Sequence, residues 1–156
     1  MRDRPLPVAM TVPAHPKPRW FALPLLALGV VGFAAAWMLV ALGFGGMLAW
    51  LAPLAAADMV LLLALSRWPA GRSRALIALI ATALTIVLAA FCTIAAQVGL
   101  GMGLRPWESV SKLGPAYAWE LARLAMRPSD WAGYVAGLLV AGWTGFSARR
   151  RAPSAR

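Results

Sequence analysis

Charge is missing from long stretches of this chain and concentrated in the gaps between them. No position from Trp20 to Leu42 is charged. A second apolar block runs from Met47 to Ser66 and is interrupted only by Asp58. A third starts near Ala75 and meets no charge until Arg105, and a fourth occupies Trp131 to Ser147. As a helix, the first block rises about 34 Å, enough for a bilayer hydrocarbon core of about 30 Å. The pattern predicts an all-α membrane protein with four transmembrane helices, near 20–42, 47–66, 75–99 and 131–147. Gly43, Gly45 and Gly46 supply a tight reversal after the first. RWPAGRSR forms the second loop, and Gly99, Gly101 and Gly103 fray the end of the third helix. Pro53 frees the carbonyl of Ala49 and predicts a kink in the second helix.

The segment between the third and fourth blocks is different. It carries Arg105, Glu108, Lys112, Glu120, Arg123, Arg127 and Asp130, so it does not cross lipid. Within it Tyr117, Leu121, Leu124 and Ala125 are spaced i, i+4, i+7, i+8, one face of an amphipathic helix over about 115–126. Pro115 suits a first helical position and Pro128 a stop. This helix is expected to lie on the outer surface, in the headgroup layer with Trp107 and Trp119; docking on the bundle as a solvated loop helix is the competing expectation.

Composition sharpens the lipid reading. The chain is 62% hydrophobic and 13% charged with a mean hydropathy of +0.73, against about a quarter charged in soluble domains. A net charge of +10 raises nucleic acid as a partner, but the basic residues flank apolar blocks and no aromatic platform is interleaved with them. Arg2, Arg4, Lys17 and Arg19 precede the first block; Arg67, Arg72 and Arg74 occupy the middle loop; Arg149, Arg150, Arg151 and Arg156 end the chain. The opposite side holds only Arg105, Lys112, Arg123 and Arg127. The positive-inside rule then places both termini in the cytoplasm, in a multi-pass protein of the inner (cytoplasmic) membrane. Trp20, Trp68 and Trp131 fall at the predicted interfaces. Residues 1–19 hold five prolines and are expected to be a disordered basic tail; 20–147 form the membrane domain, with 100–130 periplasmic; 148–156 form a second basic tail. The basic start and the run ending in Ala34, Ala35 and Ala36 also resemble a signal peptide. The uncharged run exceeds an h-region of about 7–15 residues, so an uncleaved anchor fits better.

Asp58 is the one charge inside a predicted span. It lies about 16 Å into the second helix, close to the midplane. An aspartate there costs about 2.5–3.5 kcal/mol of insertion, which the block's leucines offset at about 0.5 kcal/mol each. Such a carboxyl is either a proton or cation site on a transport path or a neutral hydrogen-bonding group between helices. Thr82, Thr85, Thr93 and Gln97 share one arc of the third helix with Ala78, Ala89 and Ala96. A hydrogen bond between Asp58 and Thr85 is therefore expected. No lysine or arginine is expected within a span.

Gly133, Gly137, Ala141 and Gly145 repeat a small residue every fourth position of the last helix, a surface for close helix approach. The first helix, a second copy or another protein are all open as its partner. Other chemistry finds little support. Cys92 is the single cysteine and His15 the single histidine, which excludes an intrachain disulfide, a C-x-x-C redox motif, bis-histidine haem ligation and a Ser-His-Asp triad. The glycines at 99–103 are not followed by a P-loop Lys-Ser/Thr. Glu108 and Glu120 read as solvated charges, and neither metal ligands nor a cofactor motif is evident. The leading expectation is a non-enzymatic accessory or scaffold subunit of a membrane complex. The alternative is a small proton- or cation-coupled transporter or channel centred on Asp58 with Thr82, Thr85, Thr93 and Gln97. A membrane enzyme comes third.

Overall fold

The computed structural model describes residues 21–66, 68, 71–103, 105, 108 and 114–147. Trp20, Trp107, Lys112 and both predicted tails lie outside them. The described elements are α1 (Ala22–Phe44), a 3₁₀ turn (Ala49–Leu51), α2 (Ala52–Leu65), α3 (Arg72–Gly101), α4 (Pro115–Ala125) and α5 (Pro128–Ser147). The protein is thus all-helical among these residues. Two helices, α1 with 23 residues and α3 with 30, are long and apolar enough to cross a membrane. The segment Ala49–Leu65 is apolar but shorter.

The helix boundaries depart from the sequence expectation where local chemistry decides them. Pro53 does not kink a long helix. Leu48 adopts a left-handed backbone with φ 48°, a 3₁₀ turn follows, and Pro53 sits in the first turn of α2. Its missing N–H needs no partner there. Pro128 likewise opens α5 instead of only closing the preceding helix. Asp130 Oδ2 accepts the Arg127 backbone N–H at 2.9 Å, half of a capping box, so α5 begins three residues before the predicted 131. The start of α3 also moves forward, to Arg72, and carries Arg74 into the helix. Gly45, with φ 69°, closes α1 by donating to the Ala41 carbonyl.

In the bundle α2 and α3 touch each other, with α1 packed on one side of the pair and α5 on the other. Direction follows from the closest approaches. Gly133 abuts Ala49 and Gly137 abuts Ala52, so α5 runs parallel to α2; Gly145, near its far end, abuts Ala75 at the start of α3. One layer of the core joins Ala34, Trp37 and Ala41 to Ala49, Ala52, Ala89 and Tyr134. The other joins Leu26 to Met59, Leu63, Ala78, Ala81 and Ala141. The α1–α2 reversal is pinned by the buried Trp37 Nε1–H, which donates to the Met47 carbonyl at 3.1 Å.

α4 docks on the bundle beside α3, through Ala118 and Ala122. Ala122 closes a cluster with Met47 and Ile94. Of the predicted stripe, Leu121 packs against this cluster, whereas Tyr117 is 60% and Leu124 83% exposed. The apolar sector of α4 is therefore wide: Ala118, Leu121 and Ala122 face the bundle, and Tyr117, Trp119 and Leu124 are exposed.

Candidate functional site

Asp58 sits halfway along the Ala49–Leu65 segment and is half-buried. It opens into a shallow groove of about 370 Å³ between α1 and α2. The groove wall comes from Leu25, Leu28, Gly29, Gly32, Phe33 and Ala36 of α1, with Asp58 and Leu62 of α2. No residue of α3 lines it. Helical geometry explains this: Ala52, Ala55, Ala56, Met59 and Leu63 form the buried face of α2, and Asp58 lies at the edge of that face. Gly29 stands against the Leu62 side chain, whereas a Cβ on Gly32 would meet nothing within 4 Å.

The polar residues of α3 are elsewhere. Thr82, Thr85 and Thr93 lie on its buried face with Ala78, Ala89 and Ala96, as their spacing predicts, and Gln97 is half-buried. The expected bond from Thr85 to Asp58 is not formed. Thr85 Oγ1 instead donates to the Ala81 carbonyl one turn back, at 2.8 Å, the local bond a helical threonine makes most easily. Thr82 and Thr93 are buried with no hydrogen-bond partner for their hydroxyls among the described residues. The threonines therefore fill helix interfaces and do not gather around the carboxyl.

One polar residue escaped the sequence reading. Arg74 was assigned to a loop, yet it is only 8% exposed within α3. Its Nη2 donates to the Val60 carbonyl of α2 at 3.0 Å. The signal was available, because Arg74 continues the Ala78–Ala81–Thr85 face backwards by one turn. Arg74 belongs to the first turn of α3, not the loop, and makes no ion pair with Asp58. Asp58 has no hydrogen-bond or ion-pair partner among the described residues.

The small-residue stripe of the last helix is used within the chain. A Cβ on Gly133 would stand 2.7 Å from the Ala49 oxygen, one on Gly137 2.8 Å from Ala52 backbone atoms, and one on Gly145 2.7 Å from the Ala75 Cα. Ala141 is fully buried. Within the chain the stripe seats α5 on α2 and α3 rather than on α1. Of the predicted interfacial tryptophans, Trp119 and Trp131 are 55% and 54% exposed, and Trp68 is half-buried.

Two further grooves mark the outer surface, one of about 480 Å³ beneath α4 and one of about 400 Å³ between α1 and α3. Both are lined by apolar side chains, meeting at Val30 and Leu84. No protein-family model matches the chain, and no curated protein or solved structure shows significant similarity to it.

Proposed function

We propose that the chain is a four-span protein of the cytoplasmic membrane that serves as a non-enzymatic accessory or scaffold subunit of a membrane complex. The spans are α1, the Ala49–Leu65 segment, α3 and α5, and both ends of the chain face the cytoplasm. The distribution of side chains supports the membrane part. Alanine and glycine fill the contacts between helices, whereas Leu28, Leu39, Leu61, Ile80, Val87 and Leu139 are all more than half exposed. In water such a surface would be a liability, since soluble monomers rarely expose large contiguous apolar patches. In lipid it is the expected arrangement, because small residues let helices approach and large ones face the acyl chains. At 1.5 Å per residue α5 spans about 30 Å and Ala49–Leu65 about 25 Å, the second near the lower limit for crossing. Trp50, Trp119 and Trp131 belong to one end of the bundle and Trp68 and Trp143 to the other, as two interfacial belts require.

The observation that carries the scaffold reading is the separation of Asp58 from Thr82, Thr85 and Thr93. Three hydroxyls lie inside the bundle and the carboxyl opens outward through a different interface. A transport path needs such groups to converge, and this arrangement gives the transporter reading no shared site. The test is extraction of the tagged protein in mild detergent, followed by native mass spectrometry of the particle. A second protein at fixed stoichiometry is the expected result. A particle containing only this chain, alone or as a homo-oligomer, would overturn the accessory-subunit reading.

A further inference from the structure

A carboxyl near the bilayer midplane is costly unless something binds it. Among the described residues nothing does. Asp58 has no hydrogen-bond or ion-pair partner among the described residues, and the buried cation of α3, Arg74, donates to the Val60 carbonyl. The side chain instead reaches the outer surface, in the groove bounded by α1. That groove runs from Leu25 to Ala36, about 16 Å or three helical turns. At its centre is Gly32, whose missing Cβ leaves open space. It therefore has the length and shape to seat another helix, with the carboxyl at mid-depth.

We propose that this groove is the docking site for a membrane-spanning helix of a different protein, one that carries a lysine or arginine at the depth of Asp58. The assignment rests on the four-span reading. Charge complementarity selects the occupant. A lipid acyl chain lying in the groove brings no group to meet the carboxylate. A second copy of this chain brings no cation to meet it, because no described span offers a basic residue at that depth. A helix with one basic residue satisfies the carboxylate directly, and the glycine lets its backbone come close enough for the long cationic side chain to reach across. The same pairing explains how a half-buried carboxyl is tolerated in α2: it becomes a buried ion pair on assembly, and it selects for the correct partner, because an apolar helix would leave the carboxylate unmatched.

The test uses the full-length protein reconstituted in phospholipid vesicles and labelled with a fluorescence donor. The probes are acceptor-labelled synthetic leucine–alanine helices that span the bilayer and are identical except at the central residue, lysine or leucine. Energy transfer should show the lysine helix binding about tenfold more tightly than the leucine helix, a polar contribution of the size found between membrane helices. Asp58→Leu should abolish that preference, and Gly32→Leu should weaken both helices by filling the groove. Neither substitution touches the packed interior, and equal thermal melting of the variants verifies their fold. Equal binding of the two helices, or a lysine preference that survives Asp58→Leu, would overturn the proposal. So would energy transfer between copies of the protein that Asp58→Leu removes, since that would assign the groove to a second copy. A co-purifying subunit with no lysine preference in vesicles would refute this docking chemistry alone and leave the accessory-subunit role standing.

Discussion

Replacing Gly137 by alanine adds one methyl group where α5 crosses α2, and the structure gives its consequence. The new Cβ would stand 2.8 Å from the carbonyl carbon, oxygen and Cβ of Ala52, where ordinary contact begins at 3.4 Å. None of these atoms is the end of a flexible side chain, so α5 must withdraw by roughly 0.6–1 Å. A gap of that size forfeits about a quarter to a half of each dispersion contact along the seam. Overpacking of this kind costs about 1–3 kcal/mol, and the gain in helix propensity returns up to about 1 kcal/mol. The net expectation is a loss of about 1–2 kcal/mol, a factor of roughly 5–30 in the folding equilibrium. Gly32→Ala is the matched control, because a Cβ there meets nothing within 4 Å. It should leave stability unchanged or raise it by up to about 1 kcal/mol. Both variants can be unfolded reversibly in mixed micelles by raising the fraction of denaturing detergent, with circular dichroism as the readout. Equal stability of Gly137→Ala and Gly32→Ala would refute the packing assigned to α5.

Two other substitutions probe single contacts. Trp37→Phe removes the donor to the Met47 carbonyl and leaves space where the larger indole packed; it should destabilise the protein by about 2–4 kcal/mol in the same assay, since a buried acceptor loses its partner and a cavity opens. Asp130→Ala removes the acceptor for the Arg127 N–H and should cost about 1 kcal/mol, with faster amide exchange confined to the first turn of α5.

Much of this architecture was legible because long uncharged apolar runs announce helices by their length and lack of charge. Apolar runs such as Trp20–Leu42 located the helices, and the repeat at Gly133, Gly137, Ala141 and Gly145 located a seam of close packing. The buried threonine face of α3 also followed from spacing alone. What sequence spacing did not give was the neighbour of each face. Thr85 and Asp58 lie at compatible depths, yet the threonine turns to its own helix and the aspartate to α1. Which face of α2 meets which helix depends on how four helices are arranged around one another, and no single helix encodes that. Capping was the second blind spot. Arg127, Pro128 and Asp130 read as a polar break, but Pro128 and Asp130 form the first turn of α5 and Arg127 precedes it, donating its N–H to Asp130. On α4 the stripe spacing found Leu121, which packs on the bundle, but not Ala118 and Ala122 beside it, whose small size permits the close contact.

The account depends most on Ala49–Leu65 and α5 crossing the membrane in addition to α1 and α3. Single cysteines placed at Ser73 and Gly114, in a background carrying Cys92→Ala, test this directly with a membrane-impermeant maleimide. In intact cells the four-span arrangement predicts labelling of Gly114→Cys from outside, with Ser73→Cys labelled only after permeabilisation. If α1 and α3 alone cross, with the same orientation of α1, the pattern reverses. Outside labelling of Ser73→Cys and protection of Gly114→Cys would contradict the account.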